Sequence, residues 1–149
     1  MLKSMFYRFV PVCAVFLAGF VCVEVSSANA DIPAGWKLTS RQAGYILFEK
    51  SSPKTEFSYY VYKITDGGSR STKSYAMEFM SNVKGKNLRP VPKVKGWEYS
   101  YVGNLPCATV VTREKNENSE DVVVLINLCG KADKTEVSSL ISISRNQFH

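Results

Sequence analysis

The 149-residue chain is 45 % apolar and 21 % charged, with a formal net charge of +6. That length excludes two sizeable domains once a leader is removed, and so modest a positive balance excludes a nucleic-acid binder working by phosphate neutralisation. The single histidine, His149, is the last residue, which leaves the chain without an imidazole held in place for general-base chemistry.

Lys3 and Arg8 precede Phe9 to Val23, fifteen residues without a charge, and Ala28-Asn29-Ala30 follows. A positive region, an apolar core and small residues in this order are expected to form a secretory signal peptide over residues 1–30. As a helix the apolar run would span about 22 Å, short of the ~30 Å hydrocarbon core of a bilayer, so no transmembrane span is expected after cleavage behind Ala30. Cys13 and Cys22 each follow Val, which does not suit a lipid anchor. Residues 31–149 are then expected to be a single globular domain, periplasmic or secreted. Losing Lys3, Arg8 and Glu24 leaves that part with 17 basic and 12 acidic side chains, a net +5.

Ile32-Pro33-Ala34-Gly35-Trp36 suggests an irregular entry segment anchored by its Trp. Gly44 to Lys50 has the apolar and aromatic composition of a strand. Ser51-Ser52-Pro53-Lys54 breaks it, and Phe57 to Ile64 resumes as the second arm of a hairpin. After Asp66-Gly67-Gly68-Ser69, a helix is expected: Ser71 or Thr72 can cap it, and Tyr75, Ala76, Phe79, Met80 and Val83 share one face of a 3.6-residue period. Gly85 is the expected left-handed stop.

Lys84 to Lys95 follows as a basic link carrying Lys84, Lys86, Arg89, Lys93 and Lys95 with Pro90 and Pro92 and no acid. Trp97 to Val102 alternates in the period-two manner of a half-buried strand. Two further strands are expected at Cys107–Arg113 and Asp121–Cys129, the second ended by Gly130. Thr135 can cap a final segment whose pattern fits both a helix and a strand over 135–145.

Cys107 and Cys129 are the two cysteines left after leader removal, and an even count in an exported chain favours a disulfide. If Cys107 lies opposite Cys129 in an antiparallel hairpin, Thr109 faces Asn127, Val111 faces Leu125, Arg113 faces Val123 and Lys115 faces Asp121. The chain then reverses around Asn118, inside a polar stretch suited to a turn. Directly opposed residues of a non-hydrogen-bonded pair approach to ~4.5 Å, within disulfide reach.

No P-loop, G-x-S-x-G, H-E-x-x-H or dinucleotide fingerprint occurs. Glu117, Glu120 and Asp121 cluster in the expected turn, where carboxylates are solvated. With both cysteines committed and one histidine, a soft-metal site has too few ligands. No catalytic set, cofactor or metal is therefore expected. Two features could meet a partner. The basic link could face an anionic surface, such as a lipid headgroup or an acidic protein. Tyr60, Tyr62, Trp97, Tyr99 and Tyr101, with Tyr59, place rigid amphipathic rings on strands expected to be adjacent.

Gly35-Trp36, the early hairpin, the Ser-rich cap before Tyr75-Ala76-Met77-Glu78-Phe79, the strand at Trp97 to Tyr101, the meander and the closing segment together resemble the Mog1/PsbP-like group, and within it DcrB-type periplasmic proteins. The resemblance implies an α+β fold: a largely antiparallel sheet of about five strands with helices packed on it as an α/β/α sandwich. It also implies a binding or accessory role in an envelope compartment. The expected function is an exported, non-enzymatic binding or accessory protein of the bacterial envelope, recognising another envelope or secreted protein or a surface component. The alternative is an inhibitor or immunity protein against an exported toxin or a lysozyme.

Overall fold

The computed structural model describes residues 32–148; the leader expected over residues 1–30 lies outside them. In chain order these residues form β1 (Trp36–Gln42), β2 (Tyr45–Ser51), β3 (Lys54–Lys63), α1 (Thr72–Asn82), β4 (Lys86–Val91), a 3₁₀ turn (Pro92–Val94), β5 (Gly96–Val102), β6 (Pro106–Lys115), β7 (Asp121–Cys129) and α2 (Lys134–Phe148). The strands make one sheet in the order β1-β2-β3-β7-β6-β5-β4, and every pairing is antiparallel.

This corrects the five-strand sandwich expected from the sequence. The sheet has seven strands and strand residues make up 48 % of the described chain, so the fold is mostly β. Two of the strands are not among those expected: one begins at the end of the entry segment and one lies in the basic link. Trp36 to Gln42 is the edge strand β1, where Trp36 and Leu38 are buried. Lys86 to Val91, the heart of the basic link, is the opposite edge strand β4.

Local chemistry explains the connections. β1 and β2 are joined by Ala43-Gly44, and Gly44 holds φ +73° at the second central position, the left-handed place that a type II turn reserves for glycine. The β2–β3 turn contains Ser52-Pro53, whose peptide bond is cis. Between β6 and β7, the Asn116 side-chain oxygen accepts from the amides of Asn118 (3.0 Å) and Glu120 (2.9 Å), so one side chain organises the reversal.

Ser71 caps α1, its hydroxyl accepting from the Ser74 amide at 3.1 Å. The helix ends differently from the expectation. Lys84, at φ +52°, takes the left-handed position, while the Gly85 amide donates to the Met80 carbonyl and the Lys84 amide to Ser81, the two bonds of a Schellman motif. Gly85 is needed for close approach: a Cβ there would lie 2.9 Å from Met80 Cγ and 3.0 Å from the Ser100 carbonyl oxygen. The final segment is a helix, and its cap is Asp133 rather than Thr135. The Asp133 carboxylate accepts from the Glu136 amide (2.8 Å) and Glu136 accepts from the Asp133 amide (3.3 Å), a reciprocal capping box.

The period-two alternation of each strand divides the core between the two faces of the sheet. On one face Trp36, Leu38, Ile46, Phe48, Phe57, Tyr59, Val122 and Val124 pack with Leu140 and Ile143 of α2. On the other, Tyr99, Val111, Val123 and Leu125 pack with Ala76 of α1. Arg145 near the end of α2 clamps Glu114 of β6 through Nε (3.1 Å) and Nη2 (2.7 Å). The helices are placed diagonally: α1 rests on β4, β5 and β6, and α2 on the opposite face over β1, β2, β3 and β7. Neither helix makes a complete layer, and on the α1 side the half of the sheet over β2 and β3 keeps partly exposed side chains.

Candidate functional site

The partly exposed half on the α1 side is where the tyrosines stand. In β3, Phe57, Tyr59 and Val61 belong to the core beneath α2, so Ser58, Tyr60 and Tyr62 take the other face. Register brings Tyr45 of β2 opposite Tyr60 and Leu47 opposite Ser58. The Tyr45 and Tyr60 rings lie 4.5 Å apart, Tyr60 and Tyr62 6.0 Å, and Tyr62 and Phe79 of α1 5.3 Å. A row of rings therefore runs from β2 across β3 to the flank of α1. Tyr62 is 41 % exposed, and Tyr45 and Tyr60 are half-buried.

Beside this row the floor is polar. Asn127 of β7 accepts at Oδ1 from Thr109 (2.8 Å) and Tyr101 (3.2 Å), while its Nδ2 donates to Ser58 Oγ and Cys129 Sγ, both at 3.4 Å. Cys107 and Cys129 form the expected disulfide, with Cα atoms 4.0 Å apart. The β6–β7 register pairs Thr109 with Asn127, Val111 with Leu125, Arg113 with Val123 and Lys115 with Asp121, as the cysteine argument requires. The disulfide thus ties two central strands at the margin of the open half, against Tyr101, its neighbour across β5 and β6.

The candidates from the sequence separate in the structure. Tyr60, Tyr62, Trp97, Tyr99 and Tyr101 do share one face, but β3 and β5 are not adjacent, because β7 and β6 lie between them. Tyr60 and Tyr62 line the open half. Tyr99 is 3 % exposed in the core beneath α1 and Trp97 packs against the same core, so these two are structural. Lys73 lies over the Trp97 ring, 5.0 Å from its centroid. Tyr59 belongs to the other face, stacked on Phe148. The sequence reading missed Tyr45, Ser58 and Asn127. Tyr45 carried a signal, since it lies on the same alternating pattern; Asn127 was placed opposite Thr109 by the hairpin register, but its bonds to Ser58 and Tyr101 depend on which strands flank β7 and β6.

Burial first, then the nearby Tyr60 hydroxyl, pushes the Tyr45 phenol far above its ordinary range, and burial raises the phenols of Tyr62 and Tyr101. At physiological pH the face therefore offers neutral hydroxyls and an amide. These are groups for stacking and hydrogen bonding, and none of the three phenols is an activated nucleophile. Among the described residues no three His, Cys, Asp or Glu side chains converge as a metal site, and no helix is long and apolar enough to cross a membrane.

The basic segment forms a second feature at the far edge. Lys84, Lys86, Arg89, Lys93 and Lys95 are all exposed. Arg89 pairs with Glu98 at 3.0 Å; the four lysines stand along and beyond both ends of β4. Fold and site together define a mostly-β protein built on one twisted antiparallel sheet, with an aromatic half-face and a basic edge. No family model, no curated protein and no solved structure matches the chain.

Proposed function

We propose that this protein is an exported, non-enzymatic binding or accessory protein of the bacterial envelope, acting in the periplasm or after secretion, and that its open tyrosine half-face recognises another envelope or secreted protein or a surface component. The observation that carries this reading is the row Tyr45, Tyr60 and Tyr62, left partly open to solvent because α1 packs mainly on β4 to β6. Rigid amphipathic rings beside an amide and hydroxyls gain contact area at little entropic cost. The likeness to DcrB-type envelope proteins points the same way.

The test is site-specific photo-crosslinking in the producing cell, with the reactive residue replacing Tyr62 and, as a control, Met77, which is 50 % exposed on α1. The expected outcome is a discrete product from position 62, absent from position 77 and lost when Tyr45 and Tyr60 are both changed to Ala. Identical products from both positions, or none from position 62, would remove the tyrosine face as the recognition surface.

A further inference from the structure

We infer that the β4 edge is a docking surface for an anionic bilayer, separate from the tyrosine half-face. Charge carries the first part of the argument. Residues 84–95 hold five cations and no acid, against a net charge of +6 for the whole chain. One of the five, Arg89, is neutralised by Glu98. Lys84, Lys86, Lys93 and Lys95 are exposed and, among the described residues, have no carboxylate within ion-pair distance. The excess charge of the molecule is therefore concentrated on one edge.

Lysine and proline also protect an edge strand from pairing with another chain, and that explanation covers only part of the pattern. β4 is already blocked as a template by Pro90, by left-handed Asn87 (φ +62°) and by the register shift between Lys86 and Arg89. Lys84, Lys93 and Lys95 lie outside the strand, in the turns at its two ends, where edge protection has no use for them.

The second part is apolar and selects a bilayer over a soluble anion. Val83 (39 % exposed) and Val94 (46 % exposed) are two of the exposed large hydrophobic residues among those described. Val83 directly precedes Lys84, and Val94 stands between Lys93 and Lys95 on the 3₁₀ turn. A valine at a turn flanked by lysines suits the boundary of an anionic membrane: the ammonium groups meet phosphate headgroups and the valine reaches below them. A free phosphate would have no use for the valines.

β4 lies four strand spacings from β3, the nearer strand of the tyrosine row, about 19 Å at the usual inter-strand distance. The membrane edge and the tyrosine row can therefore be occupied together, and failure of one reading leaves the other standing.

The test is co-sedimentation of the protein, as recovered from the producing cells, with vesicles of phosphatidylcholine alone or with about a third phosphatidylglycerol. Binding is expected only to the anionic vesicles, since an apolar leader would partition into both. It should fall as salt rises from about 0.1 M to 1 M, where screening shortens from ~10 Å to ~3 Å. Each lysine replaced by Gln should weaken partitioning about fivefold, so K84Q/K86Q and K93Q/K95Q each lose roughly 25-fold. Val94→Ser should weaken it at unchanged charge, and inorganic phosphate at matched ionic strength should not compete. Thermal melts establish that each variant is folded. Equal binding to both vesicle types, full binding by folded lysine variants or by Val94→Ser, or displacement by phosphate would each overturn the inference.

Discussion

Cys107 and Cys129 face each other across the central strands β6 and β7, 22 positions apart in sequence. Closing a loop of that size in the unfolded chain stabilises the fold by about 3 kcal/mol in the chain-entropy model. The Cys107→Ala/Cys129→Ala variant should lose about that much in urea unfolding. Two carboxyls tie stability to pH. The Lys50 ammonium donating to Glu136 holds that carboxyl below its ordinary value of 4.5, and the Tyr75 hydroxyl does the same to Asp66 below 3.8. A depressed carboxyl contributes stability that is complete above its unfolded pKa and is lost as pH falls through its folded one. Thermal melts should therefore be level from neutrality to about pH 5 and decline below about pH 4. Glu136→Gln should make the decline shallower.

The helices are where single side chains decide an element's position. Ala76 is fully buried where α1 meets the sheet, and a larger residue would lift the helix away. Ala76→Leu should cost about 1–3 kcal/mol by overpacking, read in urea unfolding with Trp97 fluorescence reporting the shift. At the end of the same helix, Lys84 and Gly85 divide two roles. Lys84 holds the left-handed conformation, so Lys84→Gly should stabilise by about 1 kcal/mol. Gly85→Ala should destabilise, because the new Cβ would crowd Met80, Ser100 and Tyr99. The opposite pair of results would restore Gly85 as the left-handed stop. β4 shows why a strand can escape notice: KNLRPV buries nothing and has no alternation, so only its pairing with β5 makes it a strand. β1 is short and polar beyond Leu38, and it too is held by its neighbour.

Across the whole molecule, stability is graded from the middle of the sheet outward. β3, β7 and β6 are paired on both sides, and Phe57, Tyr59, Val111, Val122, Val123 and Val124 within them are almost wholly buried. β1 and β4 have one neighbour each. Hydrogen exchange should be slowest in β3, β6 and β7 and fastest in β1 and β4; equal protection of β4 would mean that its edge is covered in solution. The diagonal placement of α1 and α2 is also a property of this scale, and it exposes the tyrosine row while hiding Tyr99 and Trp97.

The sequence by itself determined the contacts that are short in chain distance. Alternation and two cysteines specify the β6–β7 hairpin residue by residue, and the 3.6-residue period with Ser71 or Thr72 as its cap locates α1. It also placed Trp97, Tyr99 and Tyr101 on one face of their own strand, because parity along a strand is local; that Tyr60 and Tyr62 share that face came only with the sheet. Only the tertiary structure decided that β3 pairs with β7, that the sheet has seven strands, and which of those rings α1 covers. Strand order and helix placement depend on pairings between distant segments, and a backbone that can hydrogen-bond to any strand carries no local mark of the one it will join.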